Sequence, residues 1–203
     1  EAFVLFSSYG FPFEMTSELA KEKGLEVSKA EFDEEFVKHQ DLSRTASAGM
    51  FKGGLADSSE ETKKLHTAAH LLLESLRQVL GGHVFQKGSN INSERLRFDF
   101  SHPQKMLAEE IIKVENLVNE QIQKKLAVEM KEMSLEEAKN NGAMGVFDAK
   151  YGANVKVYSI GDFSKEICGG PHVDNTANLG KFKIIREEAS SAGVRRIKAI
   201  LEK

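Results

Sequence analysis

The stretch His66-Thr67-Ala68-Ala69-His70-Leu71-Leu72 decides how this chain is read. On an α-helix, residues i and i+4 lie one turn apart on the same face, so both imidazoles can reach one point. Leu65, Ala69, Leu72, Leu76, Val79 and Leu80 recur around them at helical spacing, a stripe for burial with the histidines on and beside it. Ser58-x-x-Glu61 reads as the capping box that opens this helix, and Gly81-Gly82 ends it. The two rings therefore stand at the margin of a packed face, on a rigid element.

Alone, a His-x-x-x-His pair describes packed histidines as well as ligands, and no Glu follows His66 as the zinc protease motif requires. The balance shifts at Cys168-Gly169-Gly170-Pro171-His172, which contains the chain's only cysteine. A Gly-Gly-Pro segment is no regular helix, and a turn there brings a thiolate and an imidazole together. Three of the six histidines join that cysteine, so His66, His70, Cys168 and His172 form a tetrahedral set for one zinc ion.

Composition narrows the class. With 203 residues, 40% hydrophobic and 29% charged, the chain has material for one sizeable core, or one plus a small appendage. One cysteine makes no internal disulfide, which suits a reducing cytoplasm, and no apolar run reaches membrane-span length. A net charge of -3 excludes a uniformly basic nucleic-acid surface and leaves room for a local basic stripe. The chain opens at Glu1 without an initiator Met or a leader pattern, as expected of a piece of a longer protein.

Taken in order, Ala2 to Tyr9 is apolar and aromatic and ends in the turn Tyr9-Gly10-Phe11-Pro12. Thr16 or Ser17 is expected to cap a helix through Glu22 with Gly24 as its stop, and Ser28-x-x-Glu31 to open another. Ser43 to Ser59 lacks periodicity apart from the knot Met50-Phe51 and reads as a linker. After the histidine helix, His83–Ile91 and Leu96–Ser101 form a hairpin whose second strand alternates Leu96, Phe98, Phe100 against Arg97, Asp99, Ser101. A long helix is expected from Pro103 to about Lys125, then a strand over Leu126–Met133 and a short helix capped by Ser134. Asn154–Ile160, Phe163–Ile167, Gly180–Glu188 and Val194–Leu201 complete the strands. The fold class is α+β: a mostly antiparallel sheet packed with the metal-bearing helix and one long helix, preceded by a small helical segment.

Five separated motifs then carry a resemblance. His66 to Leu72, Gln86-Lys87-Gly88-Ser89, Leu96 to His102, Cys168 to Val173 and Ala192-Gly193-Val194-Arg195-Arg196-Ile197 resemble, in order, the editing domain of the alanyl-tRNA synthetase family. The N-terminal Tyr9-Gly10-Phe11-Pro12 and its helices are similar to the end of the tRNA-binding helical region of that family. The resemblance implies residues 1–45 as the end of that region, 46–59 as a linker and 60–203 as a zinc-dependent editing domain, with the ATP-dependent aminoacylation half upstream. Two features depart from the family pattern. The small barrel that usually separates helical region and editing core is absent or reduced to the linker. Pro171 stands where Thr is commoner, as in the related threonyl-type editing domain.

The implied activity is hydrolysis of mischarged seryl- or glycyl-tRNA for alanine, at the acceptor end, in the cytoplasm. A pocket shaped for alanine discriminates poorly against one missing methyl or one added hydroxyl, so a second, hydrolytic site must supply the difference. Gln86 and Ser89 are the expected substrate contacts beside zinc. Arg97, Lys181, Lys183, Arg195 and Arg196 are the expected tRNA contacts, with Arg186 and Lys198 in the same cluster, and neither DNA nor a membrane is an expected partner. The competing readings are threonyl-type editing, a non-catalytic zinc-stapled tRNA-binding module and, remotely, a metalloprotease.

Overall fold

The computed structural model describes residues 2–9, 11–48, 54–145 and 151–202. Gly10 of the expected turn and the Met50-Phe51 pair lie outside these. The chain divides into two compact units, Glu1–Phe51 and Lys52–Lys203.

The first unit holds helices α1 (Ala2–Tyr9), α2 (Phe13–Glu22) and α3 (Lys29–Ala48). Pro12, not Thr16 or Ser17, is the residue before α2; Thr16 lies inside the helix with its hydroxyl donating to the Pro12 carbonyl at 3.2 Å. Gly24, at φ +69°, reverses the chain after α2, as its lack of a Cβ permits. Ser28 accepts from the Glu31 N–H at the start of α3, as its sequence pattern predicts. Phe32 is the hub of an aromatic cluster, with ring centroids 4.8 Å from Phe13 and 5.5 Å from Phe6. The helix runs on through Ala48, across the first residues that lack apolar periodicity.

The second unit opens with Gly54 to Ala56, which pair alongside Ile91 through Ile91 N–H to Gly54 carbonyl and Ala56 N–H to Ile91 carbonyl, both 2.8 Å. Helix α4 (Glu60–Leu80) follows. Its cap is Ser59, one residue later than the capping-box pattern indicates, accepting from the Thr62 N–H; Gly81 ends the helix at φ +117°. From Leu65 to Leu73 every residue of α4 is buried, so the histidines are enclosed and not marginal. Strands β1 (Gln86–Ile91) and β2 (Leu96–Ser101) make the expected hairpin, with Leu96, Phe98 and Phe100 fully buried.

Helix α5 spans Ala108–Gln123, about 24 Å, and does not start at Pro103. The Glu110 carboxylate accepts the Leu107 N–H at 2.7 Å and so makes the start there. Strand β3 (Val128–Ser134), helix α6 (Leu135–Asn140), strands β4 (Met144–Gly145), β5 (Asn154–Ile160) and β6 (Ser164–Ile167), a 3-10 turn over Thr176–Asn178, and strands β7 (Lys181–Ser191) and β8 (Val194–Glu202) complete the order. The strands form two sheets, not one: β1-β2-β8-β7, fully antiparallel, and β3-β5-β6-β4, antiparallel except for the short β4–β6 pair. Alternation reveals which face of a strand is buried and says nothing of its neighbour, so a single sheet and two sheets share one sequence pattern.

The larger core joins α4, α5 and the inner face of the first sheet, while Ala138, Ala143, Val155, Val157 and Ile167 form a smaller core under the second. The free edge of β7 is covered by α5. Asn119 both donates to the Phe182 carbonyl and accepts from the Phe182 N–H, each at 2.8 Å, and Glu115 accepts from the Ile184 N–H at 2.7 Å. Side chains thus satisfy a backbone edge that would otherwise offer itself to another chain. No helix among the described residues is long and apolar enough to cross a membrane.

Candidate metal centre

Helix α4 carries His66 and His70 into the space before the loop that leaves β6, where Cys168 and His172 meet them. The four potential ligand atoms lie within 4.8 Å of one another. This is the convergence the spacing predicts, with both histidines of α4 less than a tenth exposed.

The hydrogen bonds around the rings fix which nitrogens remain free. The Pro171 carbonyl can only accept, so His66 Nδ1, 3.1 Å away, carries the proton and leaves its Nε2 lone pair facing Cys168 Sγ at 3.4 Å. The Thr67 hydroxyl spends its one proton on the Lys63 carbonyl at 3.0 Å. It therefore accepts from His172 Nδ1 at 3.1 Å, as well as from the Val173 N–H. His172 Nε2 is then a buried lone pair with no partner among the described residues. His70 Nδ1 lies 3.3 Å from Glu166 Oε1, an ion-pair contact that lacks hydrogen-bond alignment. The 3.4 Å between Cys168 Sγ and His66 Nε2 is a separation that tetrahedral bonds of roughly 2.0–2.3 Å to zinc require.

Charge in the pocket points the same way. Burial opposes ionisation of Cys168, yet the imidazoles of His172, His66 and His70 crowded against it, with the charge of His70 among them, pull the thiol well below its usual range. Burial likewise opposes the charge of His70, but the Glu166 carboxylate and Cys168 outweigh it and push this ring up to about 10. His172 is driven down to about 3 by burial and then by the charge of His70. A thiolate and a buried carboxylate share the pocket and attract one cation. The donor set, one sulfur and three imidazoles, suits zinc.

Sequence reading missed three supporting residues. Glu166 is buried on β6, held by the Ser164 hydroxyl at 3.1 Å; its signal is the alternation that puts Ser164 and Glu166 on one face two residues before Cys168. Thr67 sits between the two ligands of α4 and orients a third. Tyr158 on β5 lays its ring 4.2 Å from that of His172. Pro171 contributes its carbonyl to His66, a contact that Thr at this position would equally provide.

Gln86 and Ser89 pair across β1–β2 with Phe100 and Phe98, and so share the inner face of the sheet. They bond each other, Gln86 Nε2 to Ser89 Oγ at 3.1 Å. The Gly54–Ala56 segment links this strand to the metal loop: a Cβ on Gly54 would stand 2.5 Å from the Ser89 carbonyl, and Leu55 lies against Gly170. A cleft of about 360 Å³, lined by His172 with Lys63, Lys64 and Asp174 among others, opens beside the ligands.

The expected RNA contacts fall into different surroundings. Arg195 lies on the inner face opposite Phe100 and pairs with Glu187, whose side chain is 1% exposed. Arg196 makes a two-pronged bond to Asp99 at 2.7 and 2.8 Å. Lys183 pairs with Glu115 and Lys181 with Glu202. Arg97, on the outer face, makes no hydrogen bond or ion pair among the described residues, and its Nε is enclosed.

Comparison with known proteins adds a separate line. Residues 155–198 match the family model described as the threonyl and alanyl tRNA synthetase second additional domain, and residues 1–95 the model for class II (A) tRNA synthetases. An alanine–tRNA ligase of Treponema denticola is 61% identical over 201 residues, covering 99% of this chain and 34% of the relative. That of Treponema pallidum is 60% identical over 202 residues, covering all of this chain and 33% of the relative. One from Bacillus anthracis is 53% identical over 140 residues, covering 69% of this chain and 16% of the relative. The chain spans about a third of the length of the first two.

Proposed function

The chain belongs to the alanine–tRNA ligase family, and on that premise we propose that its second unit is an editing hydrolase that cleaves mischarged seryl- or glycyl-tRNA for alanine at a zinc centre. One observation carries this reading: His66, His70, Cys168 and His172 converge with a buried, unpartnered lone pair on His172 Nε2. In this reading residues 1–45 belong to the tRNA-binding helical region, 60–203 to the editing domain, and the protein works in the cytoplasm.

When bound, zinc supplies a Lewis acid that draws the pKa of a water toward about 7 or fixes the amino end of the substrate. The remaining work falls to the chain's own groups. The Pro171 carbonyl and the Thr67 hydroxyl hold two rings in the tautomer that presents Nε2. Glu166 balances charge beside His70. Gln86 and Ser89, already bonded to each other, offer an amide and a hydroxyl to the seryl hydroxyl, a group that alanine lacks. For serine against alanine, leaving those polar groups unpaired discriminates more strongly than size does; glycine also lacks the hydroxyl and is separated from alanine only by the missing methyl, and so more weakly. The cleft beside His172 is the entry we assign to the aminoacyl end.

The test is deacylation by this chain of tRNA carrying alanine identity and charged with serine, glycine or alanine. Seryl- and glycyl-tRNA should be cleaved and alanyl-tRNA spared. Equal cleavage of all three would remove the editing reading, and cleavage of seryl-tRNA only on threonine-identity tRNA would favour the threonyl type. Glu166→Gln should weaken zinc binding roughly 10–100-fold in a chelator competition, since it removes the charge that steadies His70. Unchanged affinity would reduce Glu166 to a packing role.

A further inference from the structure

The outer face of the first sheet carries a row of like charges with a single carboxylate to balance it. Register places Arg97 opposite Lys198 and Lys198 opposite Arg186, so the charged row crosses three strands, and the neutral Asn90 stands opposite Arg97 on the fourth. Arg95, in the turn before β2, reaches the same row through its bond to Asn90 at 3.1 Å. Like charges directly opposite each other repel. The row has one carboxylate, Glu188, which serves both Lys198 and Arg186. Arg97 has no partner among the described residues, and Arg97 Nε and Arg95 Nη1 are both enclosed without one. The neighbouring Arg196 is different, because Asp99 neutralises it.

We infer that this row is a track for a phosphodiester backbone, laid across the strands on the side of the sheet away from helix α4. The inference rests on the reading that the substrate is an RNA and adds where its backbone runs. Three strands at about 4.8 Å spacing give a charged row of roughly 10 Å, long enough to meet more than one phosphate. Arginine forks match phosphate oxygens. The aromatic residues of these strands, Phe98, Phe100 and Phe182, are fully buried on the other face, so these strands offer the track no ring on which to stack a base. It reads charge and spacing and is indifferent to sequence. Arg195, with its nearly buried Glu187 partner, is not part of it.

The experiment measures binding of this chain to an uncharged acceptor-stem minihelix over a salt series. The double variant Arg97→Ala, Lys198→Ala should lose about two phosphate contacts, flattening the slope of log affinity against log salt by roughly 1.5 to 2. Lys131→Ala on the other sheet should leave the slope unchanged. Arg97→Met alone serves if the double variant folds poorly, and should lower the slope by about one. Because Arg97 is repelled where it stands, Arg97→Met should not lower the melting temperature of the free protein, and the double variant, which also gives up the partly exposed Lys198–Glu188 ion pair, should lower it little. Hydrolysis of a seryl ester of adenosine, too short to reach the track, should be unaffected. An unchanged slope in both variants overturns the track. Equal competition by polyglutamate of matched charge overturns it in favour of an acidic protein segment. If wild-type chain fails to cleave the adenosine ester but the slopes change as stated, the editing reading has failed and the track has not.

Discussion

Gly170→Ala is expected to abolish tight zinc binding, whereas Gly169→Ala, one residue earlier, is expected to change nothing measurable. A Cβ on Gly170 would stand 2.3 Å from His66 Cε1, 2.7 Å from His66 Nδ1 and 3.1 Å from Leu55 Cδ1. Neither His66 nor the loop can give way freely. The ring is pinned at Nδ1 by the Pro171 carbonyl and enclosed on a helix buried at every position from Leu65 to Leu73. Gly170 is not in the left-handed region, so the conflict is one of space and not of torsion. Overpacking of this kind costs about 1–3 kcal/mol in a well-packed interior. Most of it falls on the metal site, because the least costly relief is to swing His66 away from Cys168. Gly169 would place its Cβ in open space. Competition against a coloured chelator, with a thermal melt on the same samples, should separate the two variants by at least tenfold in affinity. Equal affinities would mean that His66 is not held where these contacts place it.

This contrast marks how far the sequence alone could go. Two adjacent glycines in one motif read identically as turn residues, and only the proximity of His66 distinguishes them. What local pattern encodes was legible: the alternation of Leu96, Phe98 and Phe100, the bounds of β5, the stop at Gly81, and the meeting of His66 and His70 with Cys168 and His172. Partnerships set by the tertiary fold were not. Leu107 stands at helical spacing from Ile111 and Val114 and is nonetheless a cap, 64% exposed, because Glu110 takes its N–H. The residues from Ser43 to Ala48 lack apolar periodicity yet continue α3, in keeping with the helix propensity of Ala46 and Ala48. Arg195 and Arg196 looked alike, but register sends one inward to Glu187 and the other outward to Asp99. Glu166 could be placed on a buried face from alternation, whereas its contact with His70, ninety-six positions away in number, could not.

The largest effect is expected at the ligands themselves, and two substitutions are needed to interpret it. His70→Ala should remove zinc and reduce seryl-tRNA cleavage to the uncatalysed background. It also strips the partner from Glu166, whose side chain is 6% exposed, and breaking a buried charged pair costs about 3–5 kcal/mol. Loss of activity in that variant alone would thus mix a lost ligand with a weakened fold. Cys168→Ser removes the sulfur while keeping the size of the side chain and leaving the His70–Glu166 contact intact. It should bind zinc far more weakly, because a hydroxyl is a poor substitute for a thiolate as a zinc ligand. Metal content, circular dichroism and deacylation measured on the same preparations give the decision. The expected pattern is no zinc and no cleavage in both variants, with a lowered melting temperature that is larger for His70→Ala. Wild-type chain stripped by a chelator should match Cys168→Ser and recover when zinc is returned. Cleavage persisting in stripped protein and in both variants would take the metal out of the reaction and leave the four side chains a structural staple, which is the behaviour expected of a non-catalytic tRNA-binding module.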